Sequence, residues 1–266
     1  MSEYKGIKGF QVTTRTEDPV PYAQALADNP YGGVWGAGGN LNNARLLFDS
    51  GVGSLTAGLV AGNSPSPNAE TYNGTSWTNI SSLGNNTAGR AGAGTSTAAL
   101  EFGGTPGLGV TEYWNGSSWT ELSDMNQGRN HLAGCGASNT SALAFGGEFS
   151  PLYPSQGYLG LTESWNGSAW TEVADLNTDR AYVAGLGTQT AALCISGTEP
   201  PLSTKTEDWN GISWQEVSDV STARMGSAAA GNSTNGLAFG GGTPGVTAAT
   251  EEWNGTSNTT RTVDTD

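Results

Sequence analysis

Short stretches of aromatic and β-branched residues alternate with polar, glycine-rich turns along most of this chain. Residues 111–122 show the pattern well, because Thr-Glu-Tyr-Trp precedes Asn115-Gly116 and Ser-Ser-Trp-Thr-Glu-Leu follows it. An Asn-Gly pair between such stretches favours a tight β-hairpin turn, since the turn requires positive φ angles. The pattern therefore predicts two antiparallel strands.

A second pair of strands is predicted next to this hairpin. Arg129 comes ten residues after Trp119, and two stretches rich in Ala and Gly follow it, separated by a Ser-Asn-Thr turn and ending at Gly146-Gly147. The chain has 41 glycines and no window with a convincing helical period, which disfavours stacked helices. Four strands per unit, with small residues on the first two and Trp on the last two, are typical of a propeller blade.

The unit recurs five times. An aromatic residue precedes Asn-Gly in each copy, at steps of 42, 51, 44 and 44 residues, and repeats of this length favour a propeller or a solenoid. The aromatic residues are Tyr72, Trp114, Trp165, Trp209 and Trp253, and a Glu stands two residues before each of them, at Glu70, Glu112, Glu163, Glu207 and Glu251. We place the units near 45–80, 87–122, 129–173, 180–217 and 224–266.

The tryptophans predict the number of blades. Four copies have a second Trp five residues after the first aromatic, at Trp77, Trp119, Trp170 and Trp214. The last copy has Asn258 there, while Trp35 stands ten residues before Arg45, the spacing that also separates Trp119 from Arg129. We therefore predict an all-β chain with one propeller of five four-stranded blades. Residues 33–38 would supply the outer strand of the last blade and so close the ring.

Two domains follow from this reading, an N-terminal anchor or arm over residues 1–32 and the propeller over residues 33–266. Six blades remain the alternative if residues 1–32 and 256–266 form extra strands.

The repeat resembles the kelch repeat over residues 35–258. The likeness lies in Met125-Asn-Gln-Gly-Arg129, in the double glycine at 146–147 and in the later pair of aromatic residues. One copy departs from it with Ser196-Gly197, and another has Thr87 at the Arg position with Arg90 three residues later. The segment Trp-Asn-Gly-Ser-Ser-Trp-Thr-Glu is also similar to repeat-bearing structural proteins of marine bacteriophages, which implies a place in a virus particle.

Charge narrows the choice of partners. The chain has 10 basic and 24 acidic residues, a net charge of −14, so we expect binding neither to nucleic acid nor to anionic membrane surfaces. The first residues lack the apolar core of a signal peptide, so we expect synthesis in a host cytoplasm and no membrane insertion. Glu121, Glu172 and Glu216 fall on the predicted outermost strands, where charge guards against strand addition. Binding of divalent ions or of a partner is the alternative for these acids.

One Arg and one Glu recur in nearly every unit. The arginines are Arg45, Arg129, Arg180 and Arg224. We expect each to form a charge-assisted hydrogen bond with a repeat Glu, tying inner to outer strands or blade to blade. A ring of ligand-binding arginines is the alternative, and Arg90 is then the candidate to point into the channel.

Catalysis finds little support in the sequence. His131 is the single histidine, which leaves too few ligands for a histidine-based metal cluster, and no motif surrounds it. We expect no enzyme activity, no metal and no cofactor.

The long connection over residues 148–161 is the better candidate for a binding site. It carries Phe149, Tyr153 and Tyr158, and by strand alternation it lies on the same face as the turns that precede the arginines. Packing of these rings over the edge of the blade is the alternative.

These observations lead us to expect a structural and binding component of a bacteriophage virion, such as a fibre, tail or decoration protein. Residues 1–32 would dock to other virion proteins, and the propeller would contact a host-surface glycan or protein or a neighbouring protein. Several copies could share one assembly. The alternative is a carbohydrate-binding, lectin-like module or a glycan-active enzyme.

Overall fold

The fold was analysed in a computed structural model, which describes residues 39–45, 51–62, 67–149, 157–242 and 245–255. Every regular element in these ranges is a β-strand, and the strands form five antiparallel sheets. No helix in the described ranges is long and apolar enough to cross a membrane.

The sheets are the blades of a propeller, numbered here 1 to 5 in chain order. Blades 1 and 2 contain β1 (Gly51–Ser54), β2 (Ala57–Ala61), β3 (Ala69–Tyr72), β4 (Trp77–Ile80), β5 (Ala91–Thr95), β6 (Ala98–Phe102), β7 (Thr111–Trp114) and β8 (Trp119–Glu121). Blade 3 contains β9 (Ala133–Ser138), β10 (Ser141–Phe145), β11 (Thr162–Trp165) and β12 (Trp170–Glu172). Blades 4 and 5 contain β13 (Ala184–Thr188), β14 (Ala191–Ile195), β15 (Thr206–Trp209), β16 (Trp214–Glu216), β17 (Ala228–Asn232), β18 (Asn235–Phe239) and β19 (Thr250–Trp253).

The five blades form a ring, which confirms the predicted five-bladed β-propeller. Within each blade the strands pair in sequence order, and the first strands of successive blades, from β1 to β17, contact one another. These first strands are therefore the innermost. Blade 5 has three strands in the described ranges. The predicted closing strand at 33–38 and the arm at 1–32 lie outside those ranges.

Glycine on the innermost strands lets neighbouring blades approach closely. A Cβ atom on Gly134 would lie 2.6 Å from Phe102 Cζ of blade 2, and one on Gly185 would lie 2.8 Å from Phe145 Cζ of blade 3. Both distances are shorter than carbon atoms tolerate. The richness of these strands in Ala and Gly thus follows from packing around the axis.

Tryptophan on the outermost strand fills the wedge between blades. Trp170 of blade 3 packs its ring edge-to-face against Phe102 of blade 2, with ring centroids 4.9 Å apart, and its indole N–H donates to Thr111 Oγ1 at 2.9 Å. Trp214 of blade 4 repeats both contacts with Phe145 and Thr162 of blade 3, at 4.9 Å and 3.0 Å. Each of these tryptophans joins its own blade to the preceding one.

Tryptophans also pair within blades. Paired rings face one another across β7–β8, β11–β12 and β15–β16 with centroids 5.4 Å apart. Glu121, Glu172 and Glu216 are exposed on the outermost strands, where the sequence placed them.

The connections between blades and the connections from second to third strands lie at one end of the blades, called the front face here. The second–third connection of blade 3 pairs with the segment entering its innermost strand, through the bridge between Asn130 and Glu148. Corresponding bridges join Ala181 to Thr198 in blade 4 and Met225 to Gly242 in blade 5. Alternation of strand direction had predicted that these two kinds of connection share a face.

Candidate functional site

Each blade contains one Arg–Glu ion pair. The Arg lies just before the innermost strand and the Glu lies on the third strand of the same blade. The nitrogen–oxygen distances are 2.5 Å for Arg45–Glu70, 2.9 Å for Arg90–Glu112, 2.6 Å for Arg129–Glu163 and 2.7 Å for Arg180–Glu207, and the fifth pair is Arg224–Glu251. The recurring arginines thus contact the recurring glutamates within blades.

Each Glu also holds the loop that arrives from the preceding blade. Glu163 accepts the backbone N–H of Asn126 at 2.7 Å, and Glu207 accepts that of Asn177 at 2.7 Å. Arg129 additionally donates to the carbonyl oxygen of Gly146 at 2.9 Å. Because the carboxylates pair with guanidinium groups and loop amides in the interior, loss of one partner would leave a buried charge uncompensated, so this arrangement serves the fold.

Arg90 belongs to this set of pairs. Its side chain is buried, pairs with Glu112 and donates from Nε to Thr87 Oγ1 at 2.8 Å. Glu112 accepts the backbone N–H of Gly84, six residues before Arg90, whereas Asn126 lies three residues before Arg129. A three-residue insertion in blade 2 therefore displaces the arginine in sequence and not in space, and Thr87 does not take its place.

Two residues at the front face carry side chains where two other blades have glycine. His131 and Tyr182 stand two residues after their arginines with φ angles of 53° and 54°, in the left-handed region. Gly89 in blade 2 and Gly226 in blade 5 occupy the equivalent position, with φ angles of 69° and 61°. Backbone hydrogen bonds join these four residues in a series. His131 N–H donates to Gly89, Tyr182 N–H to His131, and Gly226 N–H to Tyr182, at 2.8–2.9 Å.

This conformation costs a non-glycine residue on the order of 1 kcal/mol or more, and such residues concentrate at functional sites. The imidazole and phenol at these positions are kept despite that cost.

The two rings meet the carboxylate of Glu148 in blade 3. Imidazole and phenol stack with centroids 4.0 Å apart and planes at 18°. With the imidazole proton on Nδ1, His131 donates to Glu148 Oε1 at 3.0 Å, and the Tyr182 hydroxyl donates to the same oxygen at 3.2 Å. Asn130 Nδ2 lies 3.4 Å from this oxygen and 2.7 Å from His131 Nδ1, where it donates only in the tautomer that leaves Nδ1 without a proton. Blades 4 and 5 have Thr198 and Gly242 where blade 3 has Glu148.

These contacts determine the ionisation states of Glu148 and Tyr182. Burial alone would raise the pKa of Glu148, but hydrogen bonds from His131, Tyr182 and Asn130 outweigh burial and hold that pKa below its usual value. Burial and the adjacent Glu148 carboxylate raise the pKa of Tyr182, so its phenol keeps the proton that it donates. The front face therefore carries a fixed, ionised carboxylate beside two rings.

The front-face cluster is defined here as Asn130, His131, Glu148, Tyr158 and Tyr182. Tyr158 enters through a backbone bridge to Glu148, and it is half-buried, as is Phe149 next to Glu148. The predicted aromatic loop thus brings Tyr158 to the cluster and Phe149 beside it. Tyr153 lies outside the described residues.

Sequence reasoning missed Glu148, Tyr182 and Asn130 and gave His131 no role. A signal was available, because aligning the copies on their arginines sets His131 and Tyr182 opposite Gly226. The same alignment does not bring Gly89 to this position, because the three-residue insertion before Arg90 shifts Gly89 out of register.

Apolar side chains extend the cluster across blades 4 and 5. Val246 is almost fully exposed and bridges to Gly242, which in turn bridges to Met225. Met225 is exposed too, and the Thr198 hydroxyl lies 3.4 Å from its sulfur. Leu202 bridges to Thr198. Met and aromatic residues are enriched in protein interfaces, so this face has the composition of a contact surface.

Comparison with models of known protein families finds no match, and comparison with curated proteins finds none either. Among the described residues, no three His, Cys, Asp or Glu side chains form a group that could hold a metal ion. The arrangement is suited to binding, because a preorganised carboxylate and aromatic rings are presented on a rigid scaffold.

Proposed function

We propose that this protein is a non-enzymatic structural and binding component of a bacteriophage particle, whose propeller contacts a host surface or a neighbouring protein. The similarity of the repeat to structural proteins of marine bacteriophages supports the assignment to a particle. Residues 1–32 would attach the chain to other virion proteins.

The observation that carries the binding role is the strained pair His131 and Tyr182. Both hold left-handed backbone where two other blades use glycine. Residues that serve the fold recur from blade to blade, whereas the front-face cluster departs from the repeat, and such departures are where binding residues are expected.

The binding role is tested by replacing both residues with the glycine that blades 2 and 5 carry at this position. We expect the double variant His131→Gly, Tyr182→Gly to fold normally, because blades 2 and 5 carry Gly89 and Gly226 at these positions with the same backbone. Adhesion of the labelled variant to host cells should fall at least tenfold. Undiminished adhesion of a folded double variant would remove the front face from the proposal.

The place in a particle is tested separately. Mass spectrometry of purified virions should detect the chain. Its absence from particles, with expression shown in infected cells, would defeat the virion assignment and leave the binding role standing.

A lectin-like carbohydrate-binding module is the second candidate. A carboxylate beside half-buried tyrosines also suits the hydroxyl groups and apolar faces of sugars, and the front-face cluster has this composition. Glycan-array binding that disappears on deletion of residues 148–161 would favour it over a protein ligand.

A further inference from the structure

We propose that Glu148 is the receptor for a lysine or arginine side chain on a basic, partly apolar segment of the protein that the front face contacts. This inference rests on the proposed binding role and names the chemistry of the partner. Three features support it: the state of the carboxylate, its apolar surroundings and the charge of the chain.

Hydrogen bonds from the described residues reach only one oxygen of the Glu148 carboxylate. Oε1 receives the hydrogen bonds from His131 and Tyr182, whereas Oε2 accepts none from the described part of the chain. About a fifth of the side chain is exposed. Two partners on one oxygen fix the plane of the group before a ligand arrives, which lowers the ordering cost of binding. An ammonium or guanidinium group is the strongest partner for the second oxygen.

The surroundings of Glu148 suit the methylene groups of a lysine or arginine side chain. Tyr158 and Tyr182 flank the carboxylate, and Met225 and Val246 add exposed apolar surface on blade 5. Lysine and arginine bury their methylene groups along apolar surface, and their charged heads are attracted to aromatic faces. The apolar area extends over blades 3 to 5, which suits a protein segment better than a single sugar ring.

The charge of the whole chain favours the same ligand. A net charge of −14 attracts basic segments over long range and repels phosphate and acidic glycans. Because the Glu148 carboxylate lies within the contact surface, a partner without a cation would leave that charge desolvated and unpaired.

The probe is an N-acetylated tripeptide amide, leucine–arginine–leucine, compared with its uncharged citrulline counterpart by NMR titration of the full-length protein. We expect the arginine peptide to shift the amide signals of His131, Glu148 and Tyr182 and to bind at least fivefold more tightly than the citrulline peptide. Glu148→Gln, which keeps the shape of the side chain, should remove this preference. The matched control Glu172→Gln removes an exposed acid on β12 and should leave it unchanged.

Equal binding of both peptides, or an arginine preference that survives Glu148→Gln, would overturn the inference. Failure of the proposed function looks different, because it appears as undiminished host-cell adhesion of the double glycine variant. If that variant loses adhesion while Glu148→Gln keeps it, the front face binds its partner through other groups and the cationic ligand is wrong.

Discussion

Among the described residues, the junction between blades 3 and 4 has one indole more than the junction between blades 4 and 5. At the first, Trp214 packs against Phe145 and donates to the Thr162 hydroxyl. At the second, the corresponding hydroxyl of Thr206 is buried and finds no hydrogen-bond partner among the described residues. A cavity of about 300 Å³ opens there, lined by Ile195 and Thr206 of blade 4 and Trp253 of blade 5, among others.

The difference shows what holds neighbouring blades together. Tryptophan on an outermost strand supplies both the apolar filling and the polar partner of the preceding blade, and blade 5 has no such strand in the described ranges. The innermost strands of blades 4 and 5 differ in burial as well. The innermost strand β13 is largely buried, whereas every residue of β17 is exposed or half-buried.

The largest expected effect tests whether an indole fills the second junction too. Trp214→Ala should lower the free energy of unfolding by about 3–5 kcal/mol, because it empties a packed wedge and leaves Thr162 without its donor. The repeat predicts that Trp35, which lies outside the described residues, serves Thr206 in the same way, so Trp35→Ala should cost a similar amount.

Urea unfolding of both variants measures these losses, and Ile212→Ala at an exposed turn is the control, with an expected change within about 0.5 kcal/mol. A Trp35→Ala variant as stable as the wild type would refute the predicted closure.

The Arg–Glu pairs allow a second test of the difference in burial between blades 4 and 5. Arg180 and Glu207 are both fully buried, whereas about a quarter of the Glu251 side chain is exposed in blade 5. Arg180→Ala should cost about 3–5 kcal/mol because it leaves a buried carboxylate unpaired. Arg224→Ala should cost less, since water can reach Glu251. Urea unfolding measures the free energy of unfolding of both variants. Equal losses would show that Glu251 is as inaccessible to water as Glu207.

Much of this architecture was predictable from the sequence. The Asn-Gly turns and the Trp spacing gave the hairpins and the five blades, because turn chemistry and wedge packing are local and recur with the repeat. The arginine partners were predictable for the same reason. Arg90 was not, because a three-residue insertion breaks its register while the ion pair with Glu112 persists in space.

The front-face cluster was only partly predictable. Tyr158 was expected from the long loop, but Glu148 and Tyr182 are 34 residues apart and meet only through the ring of blades. Their contact depends on the stacking of blades 3 and 4, which no short-range pattern encodes. The one local sign was a non-glycine residue at His131 and at Tyr182.

The smallest expected effect compares the two junctions through one pair of isosteric substitutions. Thr162→Val removes the acceptor of the Trp214 N–H and leaves a buried donor unpaired, so it should cost about 1–3 kcal/mol in urea unfolding. Because the repeat predicts that Trp35 donates to Thr206, Thr206→Val should lose as much, and the loss should vanish in a Trp35→Phe background, which keeps an aromatic ring and removes the N–H. A neutral or slightly stabilising Thr206→Val would show instead that this buried hydroxyl has no partner in the intact chain, as it has none among the described residues.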